Sequence, residues 1–330
     1  MDLPRDYVLK FNGEIFRASS IVLTQCLGVR NGETVLIVTD EILRGIGLHI
    51  WLCARGLGVE AVYIEMLPRK MHGEEPPRPV AEAMKSADVV IAPTSKSLTH
   101  TVAREEATKR GCRVATMPGI TEEVFIRTMN VDYSYIHRTT EAIGGILDRG
   151  SSVRIESSSG TNLTFSIEGR RARRSSGILR NPGDWGNLPG GEAYIAPIEE
   201  SANGVVVIDG SMAGIGKLAN PIKMVFREGS ILSIEGGDEA RKLEQILSQY
   251  GEDARRLGEF GIGTNPGARV SGIVLEDEKV LGTVHIAIGS NFGFGGKIKV
   301  PLHLDGVILK PTVYIDGDVI MKEGKLAIEV

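Results

Sequence analysis

From Gly32 onward, the first third of the chain alternates short continuous apolar runs with stretches of helical spacing. TVLIVTD (Thr34 to Asp40) is rich in β-branched residues, and a helical stretch follows over Glu41–Arg55. A break at Gly56–Gly58 leads into VEAVYIEM; VAEAMKSA then precedes DVVIAPT, and THTVAREEATKRG precedes CRVATMPG. This alternation predicts about four parallel strands joined by crossover helices, the pattern of a doubly wound α/β domain. Ligands of such sheets bind beyond the carboxyl ends of the strands, here near Thr39–Asp40 and Pro93–Ser95. Neither G-x-G-x-x-G nor G-x-x-x-x-G-K-[ST] occurs, so the pattern gives little support to a nucleotide site.

The pattern changes near Arg149–Ser151. SVRIESSSGTNLTFSIEG alternates apolar and polar positions around a Ser-Gly-Thr-Asn turn and predicts a hairpin; GVVVIDGSM and KMVFREGSILSIEGG predict further strands. One helix interrupts them, from about Asp238 to Arg256, with Leu243, Ile246 and Leu247 at helical spacing. The chain ends in VILKPTVYIDGDVIMKEGKLAIEV, a meander with turns at Asp316-Gly317 and Glu323-Gly324. The fold class expected is therefore α/β: a doubly wound parallel domain over residues 1–150, then a strand-rich α+β domain over 151–330.

Length agrees with two domains, because 330 residues exceed the roughly 250–300 at which one core stops growing. With 42% hydrophobic and 24% charged residues the composition is that of a folded globular protein. No apolar run approaches the roughly 20 residues of a membrane span, and the N-terminus MDLPRDYVLKFNGEIF has no apolar core of a secretory signal, so a cytoplasmic protein is expected. A net charge of −4 argues against nucleic acid as a partner. The one basic cluster, Arg170, Arg171, Arg173 and Arg174, reads as a solvated hairpin end, and Cys26, Cys53 and Cys112 as small buried hydrophobes.

Candidate chemistry concentrates late in the chain. His303 and Asp305 form an H-x-D pair; residues two apart on a strand face the same way, so imidazole and carboxylate converge. His285 lies eighteen positions upstream in the glycine-rich GTVHIAIGSNFGFGGKIKVPLHLDG. Two histidines and a carboxylate are the ligand set of a non-haem iron triad, and equally half of a two-metal hydrolase site. Glu192 in LPGGEAYIAP and Glu259 in LGEFGIGTN stand at glycine-to-strand junctions before apolar stretches, where a charge is costly unless paired or metal-bound. Glu276, Asp277 and Glu278 read as a solvated turn.

PGGEAYIAP, LGEFGIGTN, GTVHIAIGS and PLHLDG together resemble the aminopeptidase T and aminopeptidase S metallopeptidases and their relative, 2,5-dihydroxypyridine 5,6-dioxygenase. The resemblance implies a homodimer in which Glu192, Glu259, His285, His303 and Asp305 hold divalent zinc, cobalt or manganese. Glu259 would then bridge two ions, and Glu192 or Glu259 would double as general base. On that basis the leading expectation is a metal-dependent hydrolase that releases N-terminal residues from small peptides or cleaves a related small amide. The alternative is a mononuclear iron dioxygenase that opens a dihydroxypyridine-like or catechol-like ring, with only His285, His303 and Asp305 on the metal. One position departs from the peptidases: Phe292 stands where they carry a tyrosine, and a phenyl ring cannot donate to an oxyanion.

Overall fold

The computed structural model describes residues 13–329. The chain forms two compact units. The first runs to Tyr133 and takes back Gly177–Pro189, and the second comprises Ser134–Ser176 with Gly190 onward.

The first unit is built on a parallel sheet of five strands, in the spatial order Glu60–Met66, Thr34–Asp40, Val89–Ala92, Arg113–Thr116, Trp185–Asn187. The four strands expected from the apolar runs are all present. Val89–Ala92 and Arg113–Thr116 are buried at every position, as a sheet covered on both faces requires. The fifth strand is only three residues long and lies beyond the residue-150 mark at which strand-rich character begins. WGN is too short for any periodicity, so only its pairing with Val114–Thr116 defines it. At the carboxyl end of Thr34–Asp40, the Asp40 carboxylate accepts hydrogen bonds from the Ser95 amide and hydroxyl, both at 2.7 Å, and from the Leu43 amide at 3.2 Å. The residues singled out there thus close the strand ends on one another. Cys26, Cys53 and Cys112 are buried. Among the described residues, no helix is long and apolar enough to cross a membrane.

The second unit opens with most of the helix Tyr133–Arg149 and continues as two antiparallel sheets of eight and seven strands. The expected hairpin forms from Ser152–Glu156 and Asn162–Ser166, with buried Val153 opposite Phe165 and Ile155 opposite Leu163. The terminal meander forms too: Asp316 and Gly317, then Glu323 and Gly324, all take positive φ, as two-residue hairpin turns that match strand twist demand. The interrupting helix is shorter than its apolar spacing suggests. It ends at Leu247, and after Gly251 the chain resumes as a short 3-10 turn over Glu252–Arg255.

Both sheets and this helix turn apolar faces into one core, where Phe165, Met224 and Val313 meet Phe260, Ile286, Ile308 and Leu243. Phe165 and Phe260 pack edge to face at 5.4 Å between ring centres. The strand Leu257–Gly263 is buried at all seven positions; Leu257, Phe260 and Ile262 fill this core, whereas Glu259 and Gly261 face away from it and need another purpose. Truncation of the fully buried Phe260 to alanine is expected to cost about 3–5 kcal/mol of stability, measured by urea denaturation. A loss under about 1 kcal/mol would contradict this packing.

Candidate metal centre

Four neighbouring strands of the seven-stranded sheet, Glu192–Ile195, Leu257–Gly263, Thr283–Gly289 and His303–Leu309, bring separate motifs to one face. Asp305 stands opposite Ala287, and Ala287 opposite Glu259; His285 stands opposite Gly261, and Gly261 opposite Tyr194. Residues paired across a sheet project from the same face. Glu192 and His303, two positions from Tyr194 and Asp305, share it. Each row therefore alternates a functional side chain with a small residue. At Gly261 the reason is steric: a Cβ there would overlap the His285 ring.

All five expected ligands meet on this face. His285 Nε2 lies 3.2 Å from Glu259 Oε1 and 3.5 Å from Glu192 Oε2. His303 Nε2 lies 3.4 Å from Asp305 Oδ1 and 3.5 Å from Glu259 Oε2. The five fall into two groups, Glu192–Glu259–His285 and Glu259–His303–Asp305, each with ligand atoms within 4.8 Å of one another. Glu259 belongs to both. The trio His285, His303 and Asp305 does not form a group of its own; the two imidazoles address opposite oxygens of Glu259.

This donor set suits a cation. Glu192, Glu259, His285 and Asp305 are buried, and His303 keeps a third of its side chain exposed. Glu192 Oε2, Asp305 Oδ1 and His285 Nδ1 have no hydrogen-bond partner, a costly condition for buried polar atoms that a bound ion relieves for the oxygens. The Ser290 carbonyl accepts from His303 Nδ1 at 2.8 Å, which fixes the tautomer and leaves Nε2 as the coordinating atom.

Electrostatics point the same way. Burial opposes charge on His303, but the Asp305 carboxylate, with Glu259 behind it, outweighs burial and raises its pKa well above the ordinary imidazole value. At His285 burial is likewise outweighed, by the hydrogen bond to Glu259 and the charge of Glu192, and the pKa rises to about 9. Burial would raise Asp305; the charge of His303 reverses this and holds it down at about 2. Burial raises the Glu259 carboxyl. These are imidazoles that carry protons where a metal could stand.

Residues outside the sequence expectation complete the cluster. Lys279, 2% exposed, donates to Glu192 Oε1 and Glu278 Oε2, both at 2.7 Å. Tyr194 packs edge-on to Phe294 at 5.4 Å, and Phe294 edge-on to His303 at 6.0 Å. The expected solvated turn at Glu276–Glu278 is corrected. Glu276 and Asp277 are buried and accept from the backbone of Arg269, Ser271 and Gly272, while Glu278 serves Lys279. The glycine-containing loop before them leaves amides in need of acceptors, and only that need distinguishes this acidic run from an exposed one. The arginine cluster is not wholly solvated either: Arg170 pairs with Glu199, and Arg174 with Asp148 and Glu141. Phe292 is 60% exposed, with the Lys299 ammonium 5.3 Å from its ring centre.

A metal entering at His303 Nε2 must displace the proton that the carboxylates hold there. Because that pKa is raised, the competing proton persists through neutral pH, and removing it favours the metal. Affinity for cobalt(II), measured by calorimetry, is therefore expected to climb about tenfold per pH unit until the His303 pKa is passed, with proton release on binding. An affinity that stays flat between mildly acidic and neutral pH would contradict this.

Comparison with known proteins agrees with an enzyme and corrects the expected chemistry. A family model described as NicX, 2,5-dihydroxypyridine 5,6-dioxygenase, matches residues 14–328. A 2,5-dihydroxypyridine 5,6-dioxygenase of Pseudomonas putida is 26% identical over 262 residues, 73% of this chain and 71% of that protein. The solved structure of 2,5-dihydroxypyridine dioxygenase from Pseudomonas putida KT2440 matches with a TM-score of 0.80 at 20% identity, covering 96% of this chain and 97% of that one. Wild-type AmpT, aminopeptidase T, from Thermus thermophilus matches with a TM-score of 0.69 at 18% identity, covering 96% and 99%. At these identities the two structures show a shared fold alone. The expected aminopeptidase-type hydrolase is thereby overturned, and with it the expectation of a protease: the family model and the curated relative both name a dioxygenase, and the peptidase enters only through a distant structural likeness. The chain belongs to the NicX family, that of 2,5-dihydroxypyridine 5,6-dioxygenase.

Proposed function

We propose that this protein is an iron(II)-dependent dioxygenase that opens a dihydroxylated pyridine or similar ring, with Glu259, His303 and Asp305 on the iron. The observation that carries the proposal is the family match over residues 14–328, in a chain whose H-x-D pair includes a buried carboxylate oxygen with no hydrogen-bond partner. One imidazole and two carboxylates offer nitrogen and oxygen donors that a divalent ion such as iron(II) accepts, with His285 on the far oxygen of Glu259. Glu259, His303 and Asp305 would hold the iron, which when bound would supply the redox chemistry for adding dioxygen to the ring.

The protein's own groups have separate tasks. Ser290 holds the His303 ring in its ligating tautomer. His285 pairs with Glu259 Oε1 and so steadies the carboxylate that His303 meets from the other oxygen. Phe294, edge-on to both Tyr194 and His303, extends an aromatic surface from the one ligand that is partly open to solvent. A flat aromatic substrate suits such a surface, because aromatic pairs add about 0.5–1.5 kcal/mol beyond buried area.

Protein loaded anaerobically with iron(II) and then mixed with 2,5-dihydroxypyridine in air is expected to consume oxygen as the ring absorbance disappears. His303→Ala and Asp305→Ala should each lose bound iron and all oxygen uptake while keeping native circular dichroism. Absence of uptake by the iron-loaded wild type, or undiminished uptake in both variants, would overturn the proposal.

A further inference from the structure

Two overlapping ligand groups share Glu259, so the face offers room for two ions as readily as for one. What separates the groups is the state of their carboxylates. In Glu259–His303–Asp305 every nitrogen facing the acids belongs to an imidazole, which gives up its proton to a metal. In Glu192–Glu259–His285 one oxygen of Glu192 is already taken by the Lys279 ammonium at 2.7 Å, and the same ammonium holds Glu278 at 2.7 Å.

The backbone of Lys279 is held in place. Its amide donates to the Glu276 carbonyl at 2.9 Å and its carbonyl accepts from the Asn265 amide at 2.8 Å. The backbone at Lys279 and Val280 presses so closely on Gly263 that a Cβ there would overlap the Val280 carbonyl. A fully covered lysine is rare unless paired, and here the pairing is double. A divalent ion on Glu192 would share that carboxylate with a fixed positive charge and meet its repulsion in a poorly solvated place.

We propose that Lys279 is the resident cation of the Glu192 side of the cluster and restricts the centre to one divalent ion. This rests on the single-iron function proposed above and adds the residue that sets the ion count. Cobalt(II) is a suitable probe, since it substitutes for other divalent ions and its visible absorption reports each ligand set it enters. Apo wild-type protein titrated with cobalt(II) should saturate at one ion per chain. Lys279→Arg, which keeps the charge, should also saturate at one. Lys279→Met, which keeps the stem and removes the charge, should take up a second ion with a second absorption band.

Two ions in the wild type, or one ion in a folded Lys279→Met, would overturn the proposal. If Lys279→Met is unfolded without metal, excess cobalt(II) should restore its circular dichroism by replacing the lost cation, and failure to restore it also counts against the proposal. Oxygen uptake by iron-loaded wild type is read separately, so a wrong ion count and a wrong reaction give different results.

Discussion

Carboxylates buried together on one sheet face are the constraint on which the rest of this structure depends. Glu192, Glu259 and Asp305 repel one another and the half-buried Glu278 beside the sheet, and removing each from water costs several kcal/mol unless opposite charge stands beside it. Burial and its acidic neighbours push Glu278 up to about 8, even though Lys279 opposes the shift. Lys279, His285 and His303 supply positive charge from three directions, and still leave oxygens of Glu192 and Asp305 without a donor. A cation bound at this face would complete the arrangement.

The antiparallel sheet makes the arrangement possible through its period of two. Along Leu257–Gly263, Phe260 and Ile262 enter the hydrophobic core while Glu259 and Gly261 face the cluster. The core side anchors the strand against the eight-stranded sheet, and the other side is left free for polar chemistry. Large side chains at every position of the polar face would crowd it. Ala287 between Glu259 and Asp305, and Gly261 beneath His285, keep the rows open. A glycine-rich sequence around the site is thus a packing requirement of bulky ligands on adjacent strands.

This explains which parts were legible in the sequence. The apolar runs at Thr34–Asp40, Val89–Ala92 and Arg113–Thr116 are readable as parallel strands because doubly covered strands carry the signal in nearly every residue. His285, His303, Asp305, Glu192 and Glu259 were findable because a charge inside an apolar strand conflicts with its surroundings. The strand Trp185–Asn187 was not, since three residues carry no period. Lys279 and Glu278 were hidden inside EDEK, where charges side by side in sequence read as solvated. Their partner Glu192 lies 87 positions away from Lys279, a separation that only folding closes. The reaction is illegible in the motifs for a related reason. The peptidase and dioxygenase structures share this scaffold, and the family match over residues 14–328 separates the two chemistries.

The central claim, a single ion on the His303 side of Glu259, is tested most directly by anomalous diffraction at the iron edge from crystals loaded anaerobically with iron(II). One peak is predicted, bound by His303 Nε2, Glu259 and Asp305 at about 2.0–2.2 Å, with the Lys279 ammonium still on Glu192. A second peak against Glu192 and His285, or no peak within reach of His303 and Asp305, would contradict the account.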